Sequence, residues 1–528
     1  MSTTNNLNVC VIGAGSSGLV AIKELLDENH SVVCFEKYDQ VGGNFYRNDE
    51  VKDTGAYDST MLTISNYMMA FSSFPPPLSE KRKFWSGAEY QEYLNRFAQE
   101  FSLNECIQYN KEVISVKNIG SGDNDRYEVV VRSLADDSEQ AFIFDAVAVC
   151  TGSSRVPKYV ELKGKEKFKG EIYHSAYYKN AEPYSGRKVL CVGMGETGVD
   201  VVNELAGAAE KCVLSVRQYQ PVIERFPLLR EHTSDAYTSP FLYAQPISAA
   251  NARMKLQFVL TKKYSKIDQQ KAFADWNLKA GGYFNGFNIK SEIFVDRIVE
   301  DKLIINDSGV DYLEEHHVVF KDGRREEIDM VMLNTGYMDK FCFLKDVDVT
   351  DVRMLYKHMI HPGLGKGIVF IGWARPAVGG VPACSEMQSR YFALLCSGKK
   401  KLPEPKKLMN IIRRQAKYED QVYHKNPALR SLVSYTKYMN DFAKVIGCSP
   451  WRIRTFLNPV LAYRLWIGSQ MPTIYRLYGP HSDYHNAKKS IFNVPVAFGA
   501  VETVILTLYT VVTRLLASFR VITPDPKY

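Results

Sequence analysis

Two short glycine-rich stretches carry residue types whose spacing has chemical meaning, Gly13-x-Gly15-x-x-Gly18 and Gly193-x-Gly195-x-x-Gly198. In such a turn the first glycine permits a tight bend, the second lets a pyrophosphate approach the backbone, and the third lets a helix pack closely on a strand. Amides at the start of the following helix then face the phosphates. Both copies have the context that gives the motif weight, because the apolar runs LNVCVIG and RKVLCVG precede them and helical text follows. Glu36 ends the next strand of the first unit, where a carboxylate accepts both hydroxyls of an adenosine ribose and repels a 2′-phosphate. That site favours FAD or NAD. The second unit carries Arg217 at the equivalent place, and a guanidinium pairs with a phosphate and neutralises it. The second site therefore favours NADPH, provided that Glu196 inside its turn points away from the pyrophosphate. Two such sites in one chain imply a flavin that takes hydride from a nicotinamide. The ten cysteines offer no CxxC or CxxxxC pair, which argues against a disulfide reductase.

These turns need strands and helices to hold them. Residues 7–37 read as the opening of a βαβ unit, and 187–217 read as a second one. Between them KEVISVKNI and RYEVVVRS form a hairpin around a solvated loop at Gly120 to Asp125, and FIFDAVAVCTG reads as one further strand. Strand text returns in SEIFVDRIVEDKLIIND and HHVVFKDG, and IDMVMLNTGY ends as the CTG strand does. Thr151-Gly152 and Thr335-Gly336 thus look like paired strand exits, with the chain leaving the first domain and coming back. The expected fold is α/β, with two Rossmann-like dinucleotide-binding domains, the NADPH domain inserted into the FAD domain, and a mostly helical C-terminal region. Its boundaries are 1–155 and 329–480 for the FAD domain, 156–328 for the NADPH domain, and 481–528 for an apolar helical tail.

The 528 residues are 45% hydrophobic with a net charge of +7, enough for several cores and too mildly basic for a nucleic-acid track. Cysteines inside apolar strands, as in VVCFE, read as reduced thiols. The polar start MSTTNNLN leaves no room for a signal peptide, so a cytoplasmic protein is expected. The stretch 491–519 is apolar but interrupted by Glu502 and Arg514. As a helix it puts Val501, Ile505, Leu508, Val512 and Leu515 on one side and Glu502, Tyr509 and Thr513 on another. Docking on the protein, lying on a membrane surface, and spanning a membrane all stay open for it.

Between the two turns FKGEIYHSAYY places Phe168, Gly170, His174 and Tyr178 in an FxGxxxHxxx-aromatic pattern. With GGNF at 42–45, LNTGY at 333–337, LYKHMIHP at 355–362 and EMQSR at 386–390 in order, the chain resembles the flavin-containing monooxygenases, class B flavoproteins, over nearly its whole length. The resemblance implies FAD held by Gly13, Gly15, Ser16, Gly18, Glu36, Gly43 and Phe45, and NADPH held by Gly193, Gly195, Thr197, Gly198 and Arg217. It implies flavin reduction, formation of a C4a-hydroperoxyflavin with molecular oxygen, and transfer of one oxygen to a soft nitrogen or sulfur of a small amine or sulfide. Baeyer-Villiger action on ketones, an NADPH oxidase releasing hydrogen peroxide, and a non-catalytic membrane-docked scaffold are the alternatives. A homodimer also stays open.

The family's Asn and Lys beside the flavin are here Thr63 and Asn66, which become the catalytic candidates, each also readable as a cap or turn residue. Phe45 stands where tryptophan is usual, and Ser73 where aspartate is frequent. N- and S-oxygenation needs no proton abstraction, so His174 is expected to couple the two nucleotide domains rather than to do chemistry. Glu386 and Arg390 are expected to pair on a helix face. His358 and His361 lack companions at ligand spacing, so no metal is expected.

Overall fold

A computed structural model of the chain describes residues 6–46, 55–120, 125–227, 232–338, 340–344, 347, 349, 351–423 and 430–526. Five parallel strands form a first sheet in the order Ile368–Phe370, Ala146–Val149, Asn8–Ile12, Ser31–Phe35 and Ile107–Gln108. Its central strands lack polar alternation because both faces are covered. Val9, Val11 and Ala148 pack beneath the helices Ser16–Asp27 and Val381–Cys396. Cys10, Ile12 and Val149 pack on the other face against an antiparallel sheet, Lys111–Asn118, Tyr127–Ser133 and Glu139–Phe144.

A second parallel sheet has the order Glu171–His174, Met330–Leu333, Lys188–Val192, Lys211–Ser215 and Ile304–Asn306. All its strands fall between Ala146–Val149 and Ile368–Phe370 of the first, so the second unit is inserted into the first. The outgoing and returning segments pair as an antiparallel ribbon, Val156 opposite Met338 and Pro157 opposite Tyr337. Helices dominate after residue 380, from Val381–Cys396 through Pro405–Tyr423 and Tyr435–Ile446 to Ala500–Ser518.

Several expectations need correction. Met330–Leu333 hydrogen-bonds within the second sheet, so the return to the first falls after it and not at 329. A four-residue run of fully buried apolar side chains does not say which sheet will bury it. FIFDAVAVCTG is two strands, broken at Asp145, whose carboxylate accepts the Asn8 amide at 2.7 Å. Phe294–Val299 within SEIFVDRIVED is a helix, not a strand. Most of the hairpin loop at Gly120 to Asp125 lies outside the described residues.

The tail helix Ala500–Ser518 is long and apolar enough to cross a membrane, yet it docks along one side. Leu506, Thr510 and Thr513 are buried, the Tyr509 hydroxyl donates to the Ala249 carbonyl at 2.8 Å, and Arg514 Nε donates to the Ala244 carbonyl at 2.6 Å. The more polar side meets the protein. The apolar side faces outward, with Val501 74%, Ile505 60% and Leu508 63% exposed.

Candidate functional site

The first glycine turn leads from Asn8–Ile12 into the helix Ser16–Asp27, with Gly15 at the cap and no side chain bonded to the leading amides. Those are the donors a pyrophosphate uses. A Cβ on Gly18 would stand 1.8 Å from the Gly13 carbonyl oxygen, so the turn and the helix can touch only at a glycine. Gly43, from the neighbouring turn, abuts Gly15, and a Cβ on it would lie 3.1 Å from the Gly15 Cα.

Glu36 is buried, and its carboxylate accepts the Ala14 amide at 2.5 Å and the Tyr38 amide at 3.0 Å. Burial pushes its pKa up while those amides pull it back. Each oxygen keeps a lone pair for a ribose hydroxyl. Glu36 lines a cavity of about 450 Å³ together with Gly13, Lys37, Arg155 and Trp373, whose buried indole N–H has no partner among the described residues. An apolar wall with unspent donors and a buried carboxylate fits the adenosine half of FAD.

The second turn repeats this arrangement. The helix Glu196–Ala208 begins at Gly195 without a capping side chain, and a Cβ built on Gly195 meets no atom within 4 Å. The backbone is open on the side from which a phosphate approaches. Glu196 turns away from that side, its carboxylate accepting from Lys290 Nζ at 2.9 Å and from the Lys290 amide at 3.2 Å. Arg217 lies exposed beyond Lys211–Ser215, with no ion-pair partner among the described residues. Gly198 packs on Asn334, whose buried amide has neither of its polar atoms bonded among the described residues. This donor set fits a phosphorylated dinucleotide.

A cavity of about 180 Å³ lies between the two units, lined by Phe45 and Thr63 from one, by Glu196, Thr197 and Asp200 from the other, and by Tyr337 from the ribbon that joins them. Phe45 meets Tyr90 edge-on at 4.8 Å. Both carboxylates in the cavity are committed. Glu196 is held by Lys290, while Asp200 accepts from the Tyr57 hydroxyl and from Ser291 Oγ at 3.2 Å, with Arg225 at 3.7 Å. Burial pushes the Asp200 pKa up, and the Tyr57 bond opposes it.

Asn66 is not in this cavity. It is fully buried, donates to Glu80 and to the Lys81 carbonyl at 3.1 Å each, and accepts the amides of Tyr67 and Lys83 at 3.0 and 3.2 Å. Its amide is spent on shaping the segment 80–83, so Thr63 alone of the two catalytic candidates reaches the cleft.

His174 ends the strand Glu171–His174, and its Nδ1 accepts the Ala176 amide at 3.0 Å. Its ring lies between Tyr159 at 5.4 Å and Tyr337 at 5.8 Å, against the ribbon that joins the units. Burial lowers its pKa, with the backbone of Gly336 and Lys158 opposing. A Cβ on Gly170 would fall 2.1 Å from the Asp329 carbonyl oxygen, and Tyr178 donates to Glu204 on the second phosphate-facing helix. The fingerprint is thus a packed strap across the second sheet.

The expected Glu386 and Arg390 pair does not form. Glu386 bonds Arg476 at 3.0 Å, and Arg390 donates to the carbonyls of Tyr475 and Pro480. His358 bonds Glu419 at 3.0 Å. Among the described residues no group of three or more His, Cys, Asp or Glu could hold a metal ion. Sequence reasoning missed Arg155, Lys290, Asn334 and Tyr57. Only Asn334 carried a signal, since it precedes the Thr335-Gly336 exit.

Two parallel sheets, the second inserted into the unit of the first, a buried acid after the first turn, an exposed arginine after the second and a small cleft between them fit a two-dinucleotide flavoprotein oxidoreductase. Residues 6–500 match the family model described as flavin-binding monooxygenase-like, and the chain belongs to that family. It is 37% identical over 494 residues to the 4-hydroxybenzoate brominase (decarboxylating) of Pseudoalteromonas luteoviolacea, covering 93% of each chain. It is 31% identical over 512 residues to the flavin-containing monooxygenase 2 of Homo sapiens, covering 92% of this chain and 91% of that one. Among solved structures, the S-allyl-L-cysteine S-oxygenase of Allium sativum shares the fold with a TM-score of 0.61 at 21% identity, over 92% of this chain and 98% of that one. The protein is an FAD- and NADPH-dependent monooxygenase-type flavoenzyme.

Proposed function

We propose that the enzyme delivers one oxygen atom of O2 to a soft nucleophilic nitrogen or sulfur of a small organic substrate. FAD reduced by NADPH supplies the chemistry, activating oxygen so that its outer atom is electrophilic. The carrying observation is that both carboxylates of the cleft, Glu196 and Asp200, are already bonded to Lys290, Tyr57 and Ser291. No free base faces the reacting partners among the residues lining it. A lone pair on nitrogen or sulfur needs none, because it attacks electrophilic oxygen directly.

The chain then has to position and to shield. Thr63 offers a hydroxyl to the flavin edge, Phe45 an aromatic wall, and Tyr57 with Asp200 pins the two units together to keep water out. Arg217 selects the 2′-phosphate, and His174 holds the ribbon so that both cofactors stay in register. Val501, Ile505, Leu508 and Val512 rest on a membrane surface.

A second reading is favoured by the brominase relatives at 36–37% identity. A halide is also a soft nucleophile, and its oxidised form would halogenate an electron-rich phenol. The test supplies NADPH and oxygen with separate panels of tertiary amines, thioethers, ketones, and bromide plus 4-hydroxybenzoate, with products identified by mass. N-oxide or sulfoxide formation supports the first reading. Bromophenol without N- or S-oxides replaces it with the second, and esters or lactones from the ketones would sink both.

A further inference from the structure

Two adjoining cavities lie outside the site described so far, one of about 300 Å³ and one of about 250 Å³. Tyr243, Tyr283, Phe284, Asn288 and Val378 line both, so the two form one elongated space with its waist at these residues. The walls of the larger part are mostly apolar. Met254, Phe258 and Phe273 come from the helices Ile247–Tyr264 and Asp268–Ala280, and Leu506 comes from the inner side of the tail helix. Rings meet edge to face there, Phe258 with Phe273 at 5.7 Å and Tyr243 with Phe284 at 5.9 Å. Both signs of charge border this part, Arg253 against Glu224 and Glu502, so no field of one sign draws an ion into it.

This space is separate from the redox cleft, with which it shares no lining residue. A wall of two extended segments stands between them, in which the Ile223 amide donates to the Ile289 carbonyl at 2.7 Å and the Ile289 amide to the Pro221 carbonyl at 2.9 Å. Val222, Ile223 and Asn288 of that wall line the cavity, whereas its Arg225 and Lys290 reach the cleft carboxylates Asp200 and Glu196 at 3.7 and 2.9 Å.

Two buried amides on this space have polar atoms to spare. Asn288 is 2% exposed, and its Nδ2 donates to the Tyr283 carbonyl at 2.9 Å, which leaves Oδ1 without a partner among the described residues. Gln245, 3% exposed, lines the smaller part, and its Oε1 accepts from Arg253 Nε at 3.4 Å, which leaves Nε2 equally unbonded. A buried acceptor and a buried donor are each costly until satisfied. One hydroxyl satisfies both, donating to Asn288 and accepting from Gln245. We propose that the paired cavity is a binding site, distinct from the redox cleft, for a neutral aromatic molecule bearing one hydroxyl. Its ring lies among Tyr243, Tyr283 and Phe284, and its hydroxyl lies at Asn288 and Gln245. The two volumes together fall within the range of small-ligand sites, about 300–1,000 Å³.

The experiment titrates FAD-loaded full-length protein, with NADP+ present so that the cleft is filled, against 2-naphthol, naphthalene and 2-naphthoate by calorimetry. The wild type is compared with Q245L and V378W. Wild-type protein is expected to bind 2-naphthol about tenfold more tightly than the other two probes. Q245L removes the donor and keeps the shape, so it should weaken 2-naphthol about tenfold and leave naphthalene unchanged. V378W fills the waist and should abolish binding of both, with FAD content and NADPH oxidation as in the wild type. Should V378W fail to fold, the selective loss in Q245L decides alone. Wild-type protein that ignores 2-naphthol would overturn the proposal, and so would wild-type affinity for it in either folded variant. Preference for 2-naphthoate would overturn the neutral class and give the site to Arg253.

Discussion

Thr63 and Asn66 stand three residues apart and have separate fates, decided by what each side chain can still offer. Thr63 lines the cleft with its hydroxyl uncommitted to the segment 80–83, whereas the Asn66 amide is saturated by four bonds to that segment and its own neighbour. Thr63→Ala is therefore expected to keep FAD and its melting temperature while a larger share of NADPH ends as hydrogen peroxide, measured as the ratio of peroxide to NADPH oxidised. Asn66→Ala should leave that ratio alone and cost about 1–3 kcal/mol of stability, since it strands buried partners. A reversal of the two outcomes would exchange their roles. The contrast also marks what spacing reveals. Gly18 and Glu36 were readable because a backbone contact and a ribose carboxylate recur at fixed offsets within one βαβ unit. The partners of Asn66 come from a later segment that no local pattern announces.

Among the elements, a buried ionic hub joins the first phosphate-facing helix to the C-terminal region. Arg476, the last residue of the turn Pro472–Arg476, bonds Glu24 of Ser16–Asp27 and Glu386 of Val381–Cys396, and its Nε donates to Ser72 Oγ at 2.7 Å. Burial alone would raise the Glu24 pKa, but the charges of Arg476 and Lys23 overcome it and lower the value from 4.5 to about 2. A carboxylate depressed on folding contributes stability that is present above its unfolded value and lost as pH falls through the folded one. The melting temperature should thus drop between about pH 4.5 and pH 2, and Glu24→Gln should flatten that slope. Arg476→Met strands two buried carboxylates and should cost roughly 3–5 kcal/mol by denaturant unfolding. A loss below about 1 kcal/mol would mean that water reaches the hub. At the ribbon, His174→Gln should weaken NADP+ binding and raise peroxide release with FAD content intact. Product loss with normal NADPH use and no peroxide would make His174 a chemical participant. The His174 pKa is lowered on folding, so its contribution is present above the ordinary value near 6.5 and lost as pH falls. Helices and parallel strands were legible from their apolar runs. The sheet that takes Met330–Leu333 and the partner of Glu386 were not, because both depend on segments distant in sequence.

For the whole molecule, the side of the tail helix that faces out is the one a soluble protein would be expected to bury. Thr510, Thr513 and Tyr509 hold the helix down, while Val501, Ile505, Leu508, Val512 and Leu515 form an outward stripe. Other apolar side chains are exposed as well, Leu256 and Tyr264 on the helix Ile247–Tyr264, and Ile453, Leu457 and Val460 before and within Pro459–Ile467. Lys262 and Lys263 in the last turn of Ile247–Tyr264, and Arg454 on the short helix Ile453–Phe456, carry the charge that anionic headgroups attract. A docked helix with one apolar face suits a lipid surface better than a span, which would have to break the bonds of Tyr509 and Arg514 to the body. Flotation of full-length protein with phosphatidylcholine vesicles, with and without phosphatidylserine, tests this. The wild type is expected to float with both and more completely with phosphatidylserine, and the variant carrying Ile505→Asp and Leu508→Asp is expected to stay with the soluble fraction. Both residues are exposed, so FAD content and melting temperature should match the wild type. Wild-type protein that ignores vesicles and elutes as a dimer, while the double variant elutes as a monomer, would assign the stripe to a second copy of the chain.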